Sequence, residues 1–95
     1  MRPSEAIIRH RAALLDIASR HGLANVRVFG SVARGEDSDG SDIDLLVDAE
    51  GTTLMTLVRA RREAEQATGV AVDIHTLGSI YERYRPTVLR DARPL

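Results

Sequence analysis

The stretch Asp42-Ile43-Asp44-Leu45-Leu46-Val47-Asp48 constrains this chain more than any other. Side chains on a β-strand point alternately to opposite faces, so Ile43, Leu45 and Val47 share one face while Asp42 and Asp44 share the other with Leu46. A strand over Asp42 to Asp48 therefore needs a core against its apolar face and carries two carboxylates together on the opposite one.

The other periodicities supply the elements around that strand. After Ser4, the residues Ile8, Ala12, Leu15 and Ala18, flanked by Ile7 and Leu14, recur at helical spacing and predict a helix from about Glu5 to His21, ended by Gly22. Asn25 to Gly30 reads as a short strand with Val26 and Val28 on one face, Arg27 and Phe29 on the other, and Gly30-Ser31 at its end. Thr52 or Thr53 caps a second helix with Leu54, Leu57, Val58, Arg61 and Ala64 along one stripe, closed by Gly69. In a third strand, Val70 to His75, the residues Val70, Val72 and Ile74 alternate with Ala71, Asp73 and His75, so a carboxylate again stands on the less apolar face. Ser79 to Leu95 has room for one or two short helices interrupted before Pro86. There is no internal repeat, low-complexity tract or linker. The order helix, strand, strand, helix, strand, helix predicts an α/β fold, a small mixed β-sheet flanked by helices.

At 95 residues and 10.4 kDa the chain makes one domain, 1–95, since domains commonly hold about 100 to 150 residues. With 43% apolar residues it can support a core without staples. The absence of cysteine excludes a thiol nucleophile, an iron–sulfur site and cysteine-ligated zinc, and agrees with a reducing compartment. All 13 basic residues are arginine, which removes the P-loop lysine and Schiff-base chemistry, so aspartate must carry much of any catalysis. A net charge of −1 gives no global basic field, and direct nucleic-acid binding is not expected. No run approaches the roughly 20 apolar residues of a membrane span, and the first residues form no apolar signal core, so a soluble, cytoplasmic protein with no membrane association is expected.

The segment from Gly30 to Asp44 joins two devices of phosphate chemistry: a Gly-Ser pair, ten intervening residues, then Asp-x-Asp. A Gly-Ser turn at a strand end, leading into a helical turn, offers unpaired N–H groups and a hydroxyl to an anion, and glycine lets a phosphate approach the main chain. Asp42 and Asp44, two residues apart on a strand, stand roughly 6.5 to 7 Å apart at their α-carbons and can converge on hard cations. Magnesium is usually held by one or two carboxylates together with substrate phosphates, which suits Mg²⁺ bound with a nucleoside triphosphate. Residue usage of about 5 to 7% at each of the four fixed positions would place this spacing by chance in such a chain roughly once in a thousand.

On these residues the sequence resembles the minimal nucleotidyltransferase family, within the DNA polymerase beta-like nucleotidyltransferase superfamily. The likeness extends to Leu45-Leu46-Val47 and to Val72-Asp73-Ile74, the latter matching a later strand with a third carboxylate, and covers roughly residues 5 to 92. It implies a nucleotidyltransferase fold and an enzyme that transfers AMP from ATP to a hydroxyl acceptor with release of pyrophosphate. Asp42, Asp44 and Asp73 would be catalytic and bind two Mg²⁺ ions, while Gly30 and Ser31, with Arg34, would bind the nucleotide. Members of the family typically serve as antitoxins to HEPN-domain ribonuclease toxins, and some add AMP to a toxin tyrosine. The resemblance thus implies a HEPN toxin as partner and acceptor. Silencing of that partner by binding alone is the competing reading. Small-molecule adenylylation, a third, usually needs an added helical domain.

Plainer roles stand beside these. Asp37 to Asp42 can be a solvated loop; a calcium loop of the EF-hand type would need its glycine at the sixth position, whereas here it is the fourth. Asp42 and Asp44 can be exposed acids on a surface strand. Arg34 either meets triphosphate oxygens or pairs with Glu36 or Asp37. His75 either packs half-buried among its neighbours or touches substrate, structure being the favoured role. His10 and His21 fit no zinc spacing and are assigned to surface or capping roles, and Arg59, Arg61 and Arg62 to a solvated helix face.

Overall fold

A computed structural model describes all residues from 1 to 95. The elements run α1 (Pro3–Arg20), β1 (Ala24–Phe29), β2 (Ile43–Asp48), α2 (Leu54–Thr68), β3 (Val72–His75), two 3₁₀ turns at Leu77–Ser79 and Glu82–Tyr84, α3 (Arg85–Asp91) and β4 (Arg93–Pro94). The four strands form one mixed sheet in the order β3-β2-β1-β4. β1 is antiparallel to β2 and β4, whereas β2 and β3, joined through α2, are parallel. The expected α/β architecture is observed, with β4 added to it.

The alternation in β2 decides which face is covered. Ile43, Leu45 and Val47 are buried and join Ala6, Leu14, Ile17 and Ala18 of α1 and Ala60 and Ala64 of α2 in two adjoining apolar clusters. Full burial of a side chain such as Ile43 contributes about 1.5 to 3 kcal/mol. The two long helices thus share one face of the sheet, and the carboxylates stand on the other.

Both long helices differ in detail from the pattern read in the sequence. α1 begins at Pro3, and Arg2 at its N-cap gives no capping bond, its Nε donating instead to Glu5. Asp37, from the loop before β2, supplies the missing acceptor, taking the Ser4 N–H at 2.9 Å. The helix is kinked by non-helical dihedrals at His10, and its buried line runs Pro3, Ala6, Leu14, Ile17, Ala18, which at about 3.6 residues per turn leaves Ile8, 81% exposed, and Ala12 on the far side. α2 is capped by Thr53, whose hydroxyl accepts from Thr56 N–H, and ends at Gly69 in the left-handed conformation. It buries Ala60, Ala64 and Thr68, with the Thr68 hydroxyl donating to the Ala64 carbonyl, while Leu54 is exposed.

Near the C-terminus, Pro86 starts a helix rather than interrupting one. It sits in the first turn of α3, where a missing N–H costs nothing. β4 then pairs with the outer edge of β1 through Val28 with Arg93 and Arg27 with Pro94. Leu95 follows, buried in the core, its N–H donating to the Val26 carbonyl and its own carbonyl accepting from Arg11 Nε. Two residues of strand carry no readable alternation, and the sequence gives no sign of β4.

Candidate active site

Register assembles the site. Phe29 on β1 pairs with Asp44 on β2, and Asp44 pairs with Asp73 on β3, so these three side chains stand in one row on the face opposite the two long helices. The next row on the same face is Arg27, Leu46 and His75. Leu46 is fully buried although it shares the carboxylate face. The Phe29 and His75 rings, on strands either side of β2, meet edge to face with centroids 5.6 Å apart, which roofs Leu46.

One ligand atom each from Asp44, Asp73 and His75 lies within 4.8 Å of the others. Burial pushes the Asp44 carboxyl above the ordinary carboxylate range, and the neighbouring charge of Asp73 raises it further. His75 and Arg34 act in the opposite sense, and Asp42 adds to the rise. Two converging carboxylates, one of them reluctant to ionise, form a donor set that fits a hard divalent cation.

Asp42 is placed differently from its partners. The ladder of β2 begins at Ile43, whose N–H donates to the Ala71 carbonyl, and Asp42 precedes it as an exposed residue outside the Asp44, Asp73, His75 group. A turn closed by the Ser41 N–H on the Ser38 carbonyl delivers the chain to this point. Asp42 remains near enough for its charge to be felt at Asp44.

The expected cradle is a single helical turn. Gly30 has φ +76° at the end of β1, and its α-carbon faces the Asp44 carboxylate so closely that a β-carbon there would lie 2.5 Å from Oδ2. From Ser31 the chain winds once, with Arg34 N–H donating to Gly30 and Glu36 N–H to Ser31, and Gly35 closes the turn at φ +73°. The N–H groups of Ser31, Val32 and Ala33 find no main-chain partner and stand at the leading end of this turn. Ser31 is half-buried. Arg34 donates through Nε to Glu36 at 3.1 Å and through Nη1 to Asp91 of α3 at 3.2 Å, joining the turn to the C-terminal segment. Of the two pairings open to it in the sequence, Glu36 is formed; Asp37 is occupied at Ser4.

A cleft of about 250 Å³ opens beside Asp73 and His75, lined by Leu54, Leu57, Val58 and Arg61 of α2 together with Ile74 and Ser79. The stripe read on α2 thus serves partly as a cleft wall. His21 caps α1 and pairs through Nε2 with Glu63 at 3.0 Å, away from the carboxylates.

Comparisons with known proteins agree with this fold. Residues 10–95 match the model of the nucleotidyltransferase domain. Protein adenylyltransferase MntA of Thermococcus cleftensis is 34% identical over 77 residues, 80% of this chain and 78% of that protein. MJ0435 of Methanocaldococcus jannaschii, named provisionally for protein adenylylation, is 39% identical over 80 residues, 83% of this chain and 86% of its own length. A solved structure described provisionally as a minimal nucleotidyltransferase superposes with a TM-score of 0.85 at 46% identity, covering 97% of this chain and 95% of its own. The fold is also shared, at a TM-score of 0.73 and 20% identity, with a chain of a toxin–antitoxin crystallised with AMP-PNP, covering 97% of this chain and 71% of that one. With nine-tenths of its length matched by that domain and a minimal nucleotidyltransferase structure superposing over nearly the whole of it, the chain belongs to the nucleotidyltransferase family, in its minimal form.

Proposed function

We propose that this protein transfers AMP from ATP to a hydroxyl of a partner protein, a tyrosine of a HEPN-domain ribonuclease, and thereby acts as its antitoxin in the cytoplasm. The observation that carries the transfer is the pairing of Asp44 with Asp73 directly beside the Gly30 turn. It gives one place where triphosphate oxygens can meet main-chain N–H groups and carboxylate-held cations together. Support for a protein acceptor comes from relatives named as protein adenylyltransferases, and for a toxin partner from the family resemblance.

In this reading Ser31, Val32 and Ala33 offer their N–H groups to the phosphates, with Gly30 leaving room for the approach and Arg34 adding its guanidinium. Asp42, Asp44 and Asp73 would hold two magnesium ions. When bound, such ions supply charge neutralisation for the triphosphate and a lowered pKa for the attacking hydroxyl. Asp73, the carboxylate that also lines the cleft, holds the acceptor side of the site, and the pyrophosphate leaves from the side of the turn. Asp44, between the two, serves both.

Incubation with Mg²⁺, labelled ATP and a HEPN-domain partner, followed by intact-mass analysis, tests the proposal. A gain of adenylyl groups on a partner tyrosine and loss of its ribonuclease activity are expected. Silencing of the ribonuclease without any label would leave an antitoxin that acts by binding alone.

A further inference from the structure

Three carboxylates are the donor set implied by the sequence, but the three groups that the fold brings together are Asp44, Asp73 and His75. We infer that His75 is a metal ligand, so that the inner cation site is a mixed set of two carboxylates and one imidazole with a preference for first-row transition ions such as Mn²⁺ over Mg²⁺. The inference deepens the proposed function by naming the cation class of the same site.

Placement on the sheet makes the assignment. Asp73 and His75 are two residues apart on β3 and therefore share a face, and the parallel register sets Asp44 opposite Asp73 and Leu46 opposite His75. Leu46 has no donor atom, so the ring is free to lean over it toward Asp44. The edge contact with Phe29, from β1, braces the ring, and the cleft that Asp73 and His75 line gives an entering ion access. A packing role alone would account for the Phe29 contact, yet would not require a ring nitrogen within 4.8 Å of a ligand oxygen on each of two carboxylates.

Donor chemistry then sets the preference. Magnesium takes oxygen ligands in strict octahedral geometry, whereas imidazole suits transition ions, whose affinity for mixed nitrogen and oxygen sites rises from manganese through the series. Asp42, outside the group, is left to the nucleotide-side ion with Asp44.

The test uses the full chain with metal alone. Mn²⁺ bound to the wild type should show ¹⁴N coupling in electron spin-echo spectra, and the coupling should vanish in His75→Gln. Competition between Mn²⁺ and Mg²⁺ should favour Mn²⁺ in the wild type, and the ratio of affinities should fall by at least about tenfold in His75→Gln, the lower end for removing even a group that only supports a ligand. Absence of nitrogen coupling in the wild type, a measurement independent of any variant's folding, would overturn the assignment. So would an unchanged ratio in a variant that melts like the wild type. Nitrogen coupling in a protein that transfers no AMP would sustain His75 as ligand while defeating the proposed function.

Discussion

The Asp44 carboxylate occupies the space that a side chain on residue 30 would need: a β-carbon at Gly30 would sit 2.5 Å from Asp44 Oδ2, at a φ of +76°. Two penalties therefore meet at one position. Gly30→Ala should destabilise the fold by about 1 to 2 kcal/mol for the left-handed conformation alone. It should also displace the Asp44 carboxylate and weaken divalent-cation binding. Denaturant melts and calorimetric Mn²⁺ titration read the two effects, and unchanged cation affinity would show that the contact does not position Asp44.

Asp44 is raised by burial and by Asp73, so its ionisation costs stability. The cost appears as pH rises from the ordinary value of 3.8 through the higher folded value. Asp44→Asn removes it. Without metal at neutral pH this variant should melt at or above the wild-type temperature, while AMP transfer falls by more than about 10²-fold, beyond the effect of losing a group that only supports a metal ligand. A clearly lower melting temperature would mean that the carboxylate is part of the structural framework.

Asp73 shares its register with Asp44 but also faces the cleft. Asp73→Asn should slow transfer by at least about 10²-fold, the lower end for losing assistance to the acceptor proton, with only a modest change in affinity for the Mg²⁺ complex of a non-hydrolysable ATP analogue. Single-turnover transfer and calorimetry measure the two separately. Complete loss of nucleotide binding would place Asp73 on the triphosphate side instead.

Asp37 caps α1 from a distance, and its bond from the Ser4 N–H holds its carboxyl below the ordinary range. A depressed folded value stabilises the protein above the ordinary 3.8, and that stabilisation is lost as pH falls through the folded value. Asp37→Ala should cost about 0.5 to 2 kcal/mol at pH 7, the range for losing an N-cap acceptor. The gap to wild type should narrow below pH 3.8, and melts across that range decide the matter. A constant gap would assign the effect to packing.

Tyr81, Tyr84 and Leu89 in the C-terminal segment are 78%, 50% and 47% exposed, whereas Ile80 and Val88 are half-buried. The exposed members are available to a helical partner. Co-expression with a HEPN-domain protein followed by size-exclusion chromatography should give a larger species, weakened by Tyr81→Ser with Leu89→Ser. Separate elution at micromolar concentration would dispose of the complex.

Strand alternation made much of this site legible. It put Asp44 on the face away from the core and Asp73 with His75 on one face, because a period of two needs no tertiary information. Which strands lie side by side is a different matter. The pairing of Asp44 with Asp73 depends on the parallel register of β2 and β3, and the meeting of Phe29 with His75 spans a strand between them. No spacing records either. Asp42 kept the alternation but lost the ladder, since the turn at Ser38 to Ser41 delays pairing until Ile43. The α1 stripe was read on the wrong side: apolar residues stand on both lines of the helix, and packing against the sheet selects Ala6, Leu14 and Ile17 over Ile8 and Ala12.

Arg34 engages Glu36 through Nε and the mostly buried Asp91 through Nη1, which leaves both donors of Nη2 for an anion at the turn. An anion that draws this guanidinium toward the turn pulls on its bond to Asp91, and so acts on the end of α3. By reciprocity of binding free energies, whatever shifts α3 must then alter anion affinity by the same factor. If the turn holds the nucleotide as proposed, its occupancy and the disposition of the C-terminal helix are linked variables, and a partner seated on that helix would read the one through the other.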